Sequence, residues 1–294
     1  MNQPDIKSIC EQAIKQMRQD EKPKSSCVID GYFVKKTSKN ELDCAKFARR
    51  QGVPTPEPCR CPESEEDGTV YISFGHIPGK NLEEIYRRDF NNEKRLNDKT
   101  RLMFKKAAEI LANIHSKTNE YKGCCDEQFK IEREEEEMKN KLCKIKSVNL
   151  PSKYQDLVEC AEKMILEIIK NIFSDGDVVF HHGDYKLDNI IVNSDDDLVI
   201  VDWEGAGWGS RWYDIAYLLA DIDTHSSTEA QKILRHYMSE AHLEKDVEDR
   251  FRYARIYQEI IRIHSNVDGR NDEQFNVGLK NLKRLVSGIG DSNP

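Results

Sequence analysis

Residues 177 to 204 read Asp177-Val178-Val179-Phe180, then His181-His182-Gly183-Asp184-Tyr185-Lys186-Leu187-Asp188-Asn189, then Ile190-Ile191-Val192, a polar turn from Asn193 to Asp197, Leu198-Val199-Ile200-Val201 and Asp202-Trp203-Glu204. Two apolar runs of strand length around a turn of Asn, Ser and Asp make a hairpin, and the short strand before it leads into a loop over 181–189. If Ile190 pairs with Val201 and Val192 with Val199, Asn189 lies opposite Asp202, about 4.5–5.5 Å away at Cα. An amide oxygen beside a carboxylate, completed by water and phosphate, suits a small hard cation such as Mg2+. Asp184 precedes Asn189 on the loop and can reach a hydroxyl without being consumed as a ligand, and Lys186 adds a positive charge nearby. One carboxylate to deprotonate a nucleophile and a metal to neutralise a moving phosphoryl group is the division of labour of phosphoryl transfer.

The chain has 294 residues, 38% hydrophobic and 33% charged, and a net charge of −8. That length predicts two lobes, and the composition is that of a soluble globular protein. No apolar run approaches the roughly 18 residues of a spanning helix, and the first twenty residues have neither a secretory core nor an Arg-rich transit pattern, so a cytoplasmic protein without membrane contact is expected. Nucleic acid is a poor partner for an acidic chain without a basic face. The nine cysteines are odd in number and scattered. Cys59/Cys61 and Cys124/Cys125 lack zinc-site spacing, and reduced thiols are expected. Oligomeric state is not legible.

Upstream, Ile6, Ile9, Cys10, Ala13, Ile14 and Met17 recur at helical spacing. Cys27 to Lys36 reads as two strands turning at Asp30-Gly31. Alternation puts Lys35 on the face of Phe33 and Lys36 on the other. Ser38-Lys39-Asn40-Glu41 fits a capping box opening a helix through Arg50, with Gly52, Pro54 and Pro56 beyond it. A loop leads to a strand at Thr69 to Phe74, broken at Gly75-His76-Ile77-Pro78-Gly79. Helices are expected over 81–88, 99–116 and 151–173, with residues 126–146 a charged stretch whose run Glu134 to Glu137 is a solvated face. More helices follow the hairpin. The fold class is α+β, with a small N-terminal α/β lobe over 1–79, a hinge at 75–79 and a larger, mainly helical lobe over 80–294.

His182-Gly183-Asp184-Tyr185-Lys186-Leu187-Asp188-Asn189 followed by Asp202-Trp203-Glu204 resembles the H-x-D-x-x-x-x-N and D-x-[DE] signatures of the aminoglycoside phosphotransferase and choline kinase family, relatives of the protein kinases. Ile77-Pro78-Gly79, Ile114-His115-Ser116 and Trp212-Tyr213-Asp214-Ile215-Ala216 resemble further family landmarks in the same order. The resemblance implies a protein-kinase-like bilobal fold and an ATP- and Mg2+-dependent kinase acting on a small-molecule hydroxyl. Asp184 would be the base and Asn189 and Asp202 the metal ligands, while Lys186, two residues after Asp184, is the second catalytic candidate by its position. Lys35 would hold the nucleotide phosphates with Glu41 as its partner, and the backbone around Gly75 and Ile77 would hold the base. There is no Gly-rich loop. Nine residues separate Glu204 from Asp214, too few for a peptide platform, which favours a small acceptor.

The same residues have plainer readings. Lys35 could be a solvated edge-strand lysine, and Glu41 is explained by the capping box alone. His182 reads as a packed framework residue. Glu204, Asp221 and Asp223, with Trp203, Trp208 and Trp212, could line an acidic aromatic cleft for a cationic amine, or the tryptophans could simply fill the core. The rival functions are a catalytically silent nucleotide-binding module, a choline or ethanolamine kinase within the same fold, and a metal-dependent hydrolase.

Overall fold

Two successive left-handed residues, Asp30 (φ 48°) and Gly31 (φ 78°), turn Ser26–Ile29 (β1) back onto Tyr32–Ser38 (β2), the geometry an Asp-Gly hairpin favours. The computed structural model describes residues 6–19, 25–64, 69–93, 95–118, 131–148, 150–172, 177–243, 248–267 and 272–287. Cys124, Cys125 and the expected segments 126–130 and 173 lie outside them. Helix α1 (Ile6–Gln19) lays Ile9, Cys10, Ala13, Ile14 and Met17 against Val34, Cys61 and Tyr71 of the sheet. Helix α2 (Lys39–Arg50) begins at Ser38, whose hydroxyl accepts from the Glu41 amide at 3.3 Å.

The expected loop before Thr69 contains a strand, Pro58–Ser64 (β3), which among the described residues pairs only with Thr69–Gly75 (β4). Pro58 and Pro62 hide it from sequence reading, and an edge strand is where a sheet tolerates proline. The four strands run in the order β1-β2-β4-β3. A disulfide joins Cys10 to Cys61, 5.8 Å apart at Cα, which corrects the expectation of reduced thiols for this pair. The stripe that seats α1 on the sheet brings together cysteines 51 residues apart in the chain.

After the break at 76–78 come Gly79–Asn81 (β5), Leu82–Glu93 (α3) and Asp98–Ser116 (α4). Ile131–Ser147 (α5) and Ser152–Ile172 (α6) precede Val178–His181 (β6), Ile190–Asn193 (β7), Leu198–Ile200 (β8) and Gly207–Ser210 (β9). The chain ends in Arg211–His225 (α7), Ser227–Glu240 (α8), Glu248–Ser265 (α9) and Asp272–Ser287 (α10). Two compact units result, Met1–Glu127 with Phe180–Gly207, and Gln128–Val179 with Trp208–Pro294. The first holds the large sheet, α1 to α4 and the β5-β7-β8 sheet; the second is mainly helical. No helix among the described residues is long and apolar enough to cross a membrane.

In the hairpin Ile190 pairs with Ile200, Ile191 with Val199 and Val192 with Leu198, one residue out of the expected register. The Asn193 side chain accepts from the amides of Asp195 and Asp197 at 2.9 Å each, and its own amide donates to Asp197 O at 3.0 Å. This Asx-type turn closes the ladder on Asn193 and Asp197, so Asn189 faces Val201, whose amide donates to its carbonyl at 3.0 Å.

Asp89, buried on α3, ties that helix to the start of α4. Its carboxylate accepts from Asn97 Nδ2 and Arg88 Nε at 2.6 and 2.9 Å and from the Thr100 hydroxyl, while Asn97 Oδ1 caps the Thr100 amide. Burial pushes the Asp89 pKa up, but these donors together outweigh it and hold the pKa below the usual range. A carboxylate with a depressed pKa stabilises the fold above its unfolded value and loses that contribution as pH falls through the folded one. Asp89→Ala is expected to destabilise the protein by about 1–3 kcal/mol at pH 7. In thermal unfolding from pH 7 to 3, its Tm deficit should narrow toward the acid end.

Candidate active site

The loop after β6 is fixed by a buried imidazole. His182 Nδ1 accepts from the Asp184 amide at 3.3 Å, so its proton sits on Nε2 and points at Val201 O, 3.1 Å away. Its ring packs on Trp203 and Tyr185 at 4.7 and 5.6 Å between centroids. Tyr185 donates to Ala107 O of α4 at 2.9 Å. Gly183 (φ 81°) crosses the backbone of Gly205 so closely that a Cβ would stand 2.0 Å from Gly205 O.

This frame presents Asp184. Lys186 Nζ and Asn189 Nδ2 donate to its Oδ2 at 2.7 and 2.9 Å, and Asn189 Nδ2 also donates to Asp184 O at 2.9 Å. Oδ1 is thereby the oxygen left for an incoming group. Burial opposes the charge on Lys186, but the hydrogen bond to Asp184 and the neighbouring carboxylates outweigh it and raise its pKa. With its nitrogen bound, Asn189 offers Oδ1. Asp202 leaves the ladder in a left-handed conformation (φ 67°); that turn, rather than the expected pairing with Asn189, sends its side chain back toward β2.

Lys35 receives it. Lys35 Nζ lies 2.7 Å from Asp202 Oδ1, 2.9 Å from Glu41 Oε2 and 3.4 Å from Glu204 Oε2. The two readings of Glu41 coexist, because its backbone amide serves the helix cap while its carboxylate turns to Lys35 and the Thr37 hydroxyl. Thr37, two residues beyond Lys35 on the same strand face, was open to sequence reading through alternation alone. Burial works against the Lys35 charge, and the hydrogen bond to Asp202 and the charge of Glu41 more than offset it, so its pKa is raised. Acceptor oxygens of Glu41, Asp202 and Glu204 lie within 4.8 Å of one another. Three carboxylates around one ammonium leave negative charge uncompensated, and they are oxygen donors of the kind Mg2+ accepts; Asn189 lines the same cavity as they do.

Lys35, Glu41, Asn189, Asp202 and Glu204 line a cavity of about 590 Å3, within the range of ligand pockets. Phe33, Phe74, Ile191 and Val201 are among its apolar lining residues, and Thr55, Gly75, His76 and Ile77 also line it. Asp184 and Lys186 are not among its lining residues. Of the remaining acceptor candidates, Glu204 is exposed and engaged with Lys35, and Asp221 is half-buried. Asp223 is buried, with Arg284 at 2.6 Å and Arg255 at 3.5 Å, so its charge is neutralised internally and its expected part in a cationic cleft is corrected. Trp203 and Trp212 are core residues, and Trp212 donates to Asp177 at 3.0 Å.

A protein-kinase-like fold carrying these motifs defines a class of phosphotransferases. The chain belongs to the phosphotransferase enzyme family, whose model matches residues 34–252. Among solved structures it is similar to the GDP complex of aminoglycoside 2'-phosphotransferase-IIIa (15% identity, 96% of this chain and 99% of that one, TM-score 0.64). It is also similar to choline kinase LicA from Streptococcus pneumoniae (16%, 97% and 99%, TM-score 0.60) and to a glucosamine kinase bound to glucosamine, ADP and phosphate (14%, 90% and 79%, TM-score 0.65). At such identities the likeness is one of fold. No curated protein matches the sequence significantly.

The backbone crossing at Gly183 generates a test. Gly183→Ala places a Cβ into Gly205 O and strains a left-handed residue, whereas a Cβ on Gly207 would meet nothing within 4 Å. Gly183→Ala should lower Tm clearly, with a cost of at least about 1–2 kcal/mol from the left-handed backbone alone; Gly207→Ala should leave Tm within a degree or so of wild type.

Proposed function

We propose that the protein is an ATP- and Mg2+-dependent kinase that transfers the γ-phosphoryl group to a hydroxyl of a small molecule, acting in the cytoplasm. The observation that carries this reading is the arrangement of Asp184 beside Asn189, with Asp202 and Lys35 joined 2.7 Å apart across the same unit. Residues 1–79 form the nucleotide lobe with its hinge at 75–79, and 80–294 the catalytic and acceptor lobe. Lys35, oriented by Glu41, holds the nucleotide phosphates, and backbone groups around Gly75 and Ile77 hold the base. Asn189 and Asp202 hold Mg2+, which when bound offsets the charge of the transferring group. Asp184 Oδ1 orients the acceptor hydroxyl and takes its proton as the acceptor oxygen bonds to the γ-phosphorus. The bond from that phosphorus to the bridging oxygen breaks, and the nucleoside diphosphate leaves. Lys186 anchors Asp184 and carries positive charge beside the moving phosphoryl group.

Glu204, exposed and lining the cavity, is the acidic group that would meet a cationic acceptor. The amine-bearing substrates named for similar structures, glucosamine and streptomycin among them, support that class. One observation favours a rival: the two-residue turn between β1 and β2 provides no Gly-rich loop over the phosphates, as a silent nucleotide-binding module would allow.

The test measures ADP release with ATP, Mg2+ and a panel of amines, amino-sugars and neutral sugars. A panel member should stimulate turnover by the wild type, and Asp184→Asn should lower the stimulated rate by about 10²–10⁴-fold while still binding nucleotide. Equal rates would remove Asp184 as the base. Nucleotide binding without transfer to any member would favour the silent module. In the same assays Lys35→Met should weaken ADP binding measured by calorimetry; unchanged affinity would argue against Lys35 as the phosphate lysine.

A further inference from the structure

Lys35 has three carboxylate partners, and only one of them is held in place by burial. The Glu41 side chain is 1% exposed, against 39% for Asp202 and 69% for Glu204. The two exposed groups can swing aside for a ligand, whereas Glu41 stays with the helix that carries it. The fixed reference for the Lys35 ammonium is therefore Glu41, and what fixes Glu41 in turn decides where that ammonium stands.

Glu41 has a choice of rotamer. It is the third residue of α2 after the Ser38 cap, and a glutamate there commonly turns back to the amide of the capping residue. Among the described residues its carboxylate instead meets the Lys35 ammonium and the Thr37 hydroxyl, both through Oε2, and Oε1 is buried with no partner. Thr37 stands two residues beyond Lys35 on β2, on the same face of the strand. One strand thus grips a single carboxylate oxygen with two side chains. Thr37 is itself buried and is not among the residues that line the cavity, so it acts on a bound ligand only through Glu41.

We propose that Thr37 is a positioning residue of the nucleotide site: its hydroxyl, by donating to Glu41 Oε2, turns that carboxylate from the helix cap onto Lys35 and so fixes the ammonium that meets the nucleotide phosphates. The assignment rests on the nucleotide-dependent reading above. A valine of the same shape keeps the strand face and its packing but offers no donor, and a serine keeps the donor.

The test measures ADP binding by calorimetry for wild type, Thr37→Val, Thr37→Ser, Lys35→Met and the double variant Lys35→Met/Thr37→Val. Thr37→Val should weaken ADP binding by about three- to tenfold, the span of one hydrogen bond, and Thr37→Ser should stay within about twofold of wild type. Added to Lys35→Met, the valine should cost nothing further, because the ammonium that Thr37 positions is gone; a general defect in the sheet would weaken binding by the same factor in both backgrounds. The serine and valine variants leave the charged groups whole and decide the matter without the double variant. Unchanged affinity in Thr37→Val, a serine variant as weak as the valine variant, or equal penalties with and without Lys35 would each overturn the Thr37 assignment alone. Wild type failing to bind ADP would overturn the kinase reading and this inference with it.

Discussion

One ammonium group, that of Lys35, lies within 3.4 Å of carboxylates from two distant parts of the chain. Glu41 comes from α2 and Asp202 and Glu204 from the segment after β8, and Lys35 and Asp202 are 167 positions apart in the chain. Burying a charge without a partner is costly, and a buried pair that loses one member is typically destabilised by about 3–5 kcal/mol. The position of α2 on the sheet, the strand face that Lys35 takes and the path of the chain after β8 are therefore coupled. The charge that remains on the carboxylates after Lys35 is counted is what makes the same place fit a divalent cation.

The second constraint is the approach of two backbones. Gly183 and Gly205 touch where any side chain would collide, and the His182 ring bridges the loop amide at Asp184 and the Val201 carbonyl. The loop carrying Asp184 and the segment carrying Asp202 are thus held by neutral contacts that take no part in chemistry. This frees Asp184 Oδ1 and Asn189 Oδ1, since the nitrogen of Asn189 and the other oxygen of Asp184 are bound to each other.

Much of this was legible beforehand because it is local. The Asp30-Gly31 turn, the Ser38 cap and the loop over 181–189 depend on residues a few positions apart. The register of the hairpin was also local, but its signal was the Asn193 side chain closing an Asx-type turn, and apolar alternation alone missed it by one residue. β3 was hidden because Pro58 and Pro62 speak against a strand, and only a paired neighbour on one side makes an edge position acceptable.

The sequence by itself determined which residue types stand at which spacing, and through the motifs over 182–189 and 202–204 it determined the family. The tertiary structure decided partners. It chose Lys35 over Lys36 as the partner of Glu41, joined Cys10 to Cys61, neutralised Asp223 with Arg255 and Arg284, and left the Thr55 hydroxyl buried without a partner among the described residues. The physical reason is the same in each case. Propensity and periodicity act over a few residues, whereas charge compensation and hydrogen-bond satisfaction depend on groups that only folding brings within reach.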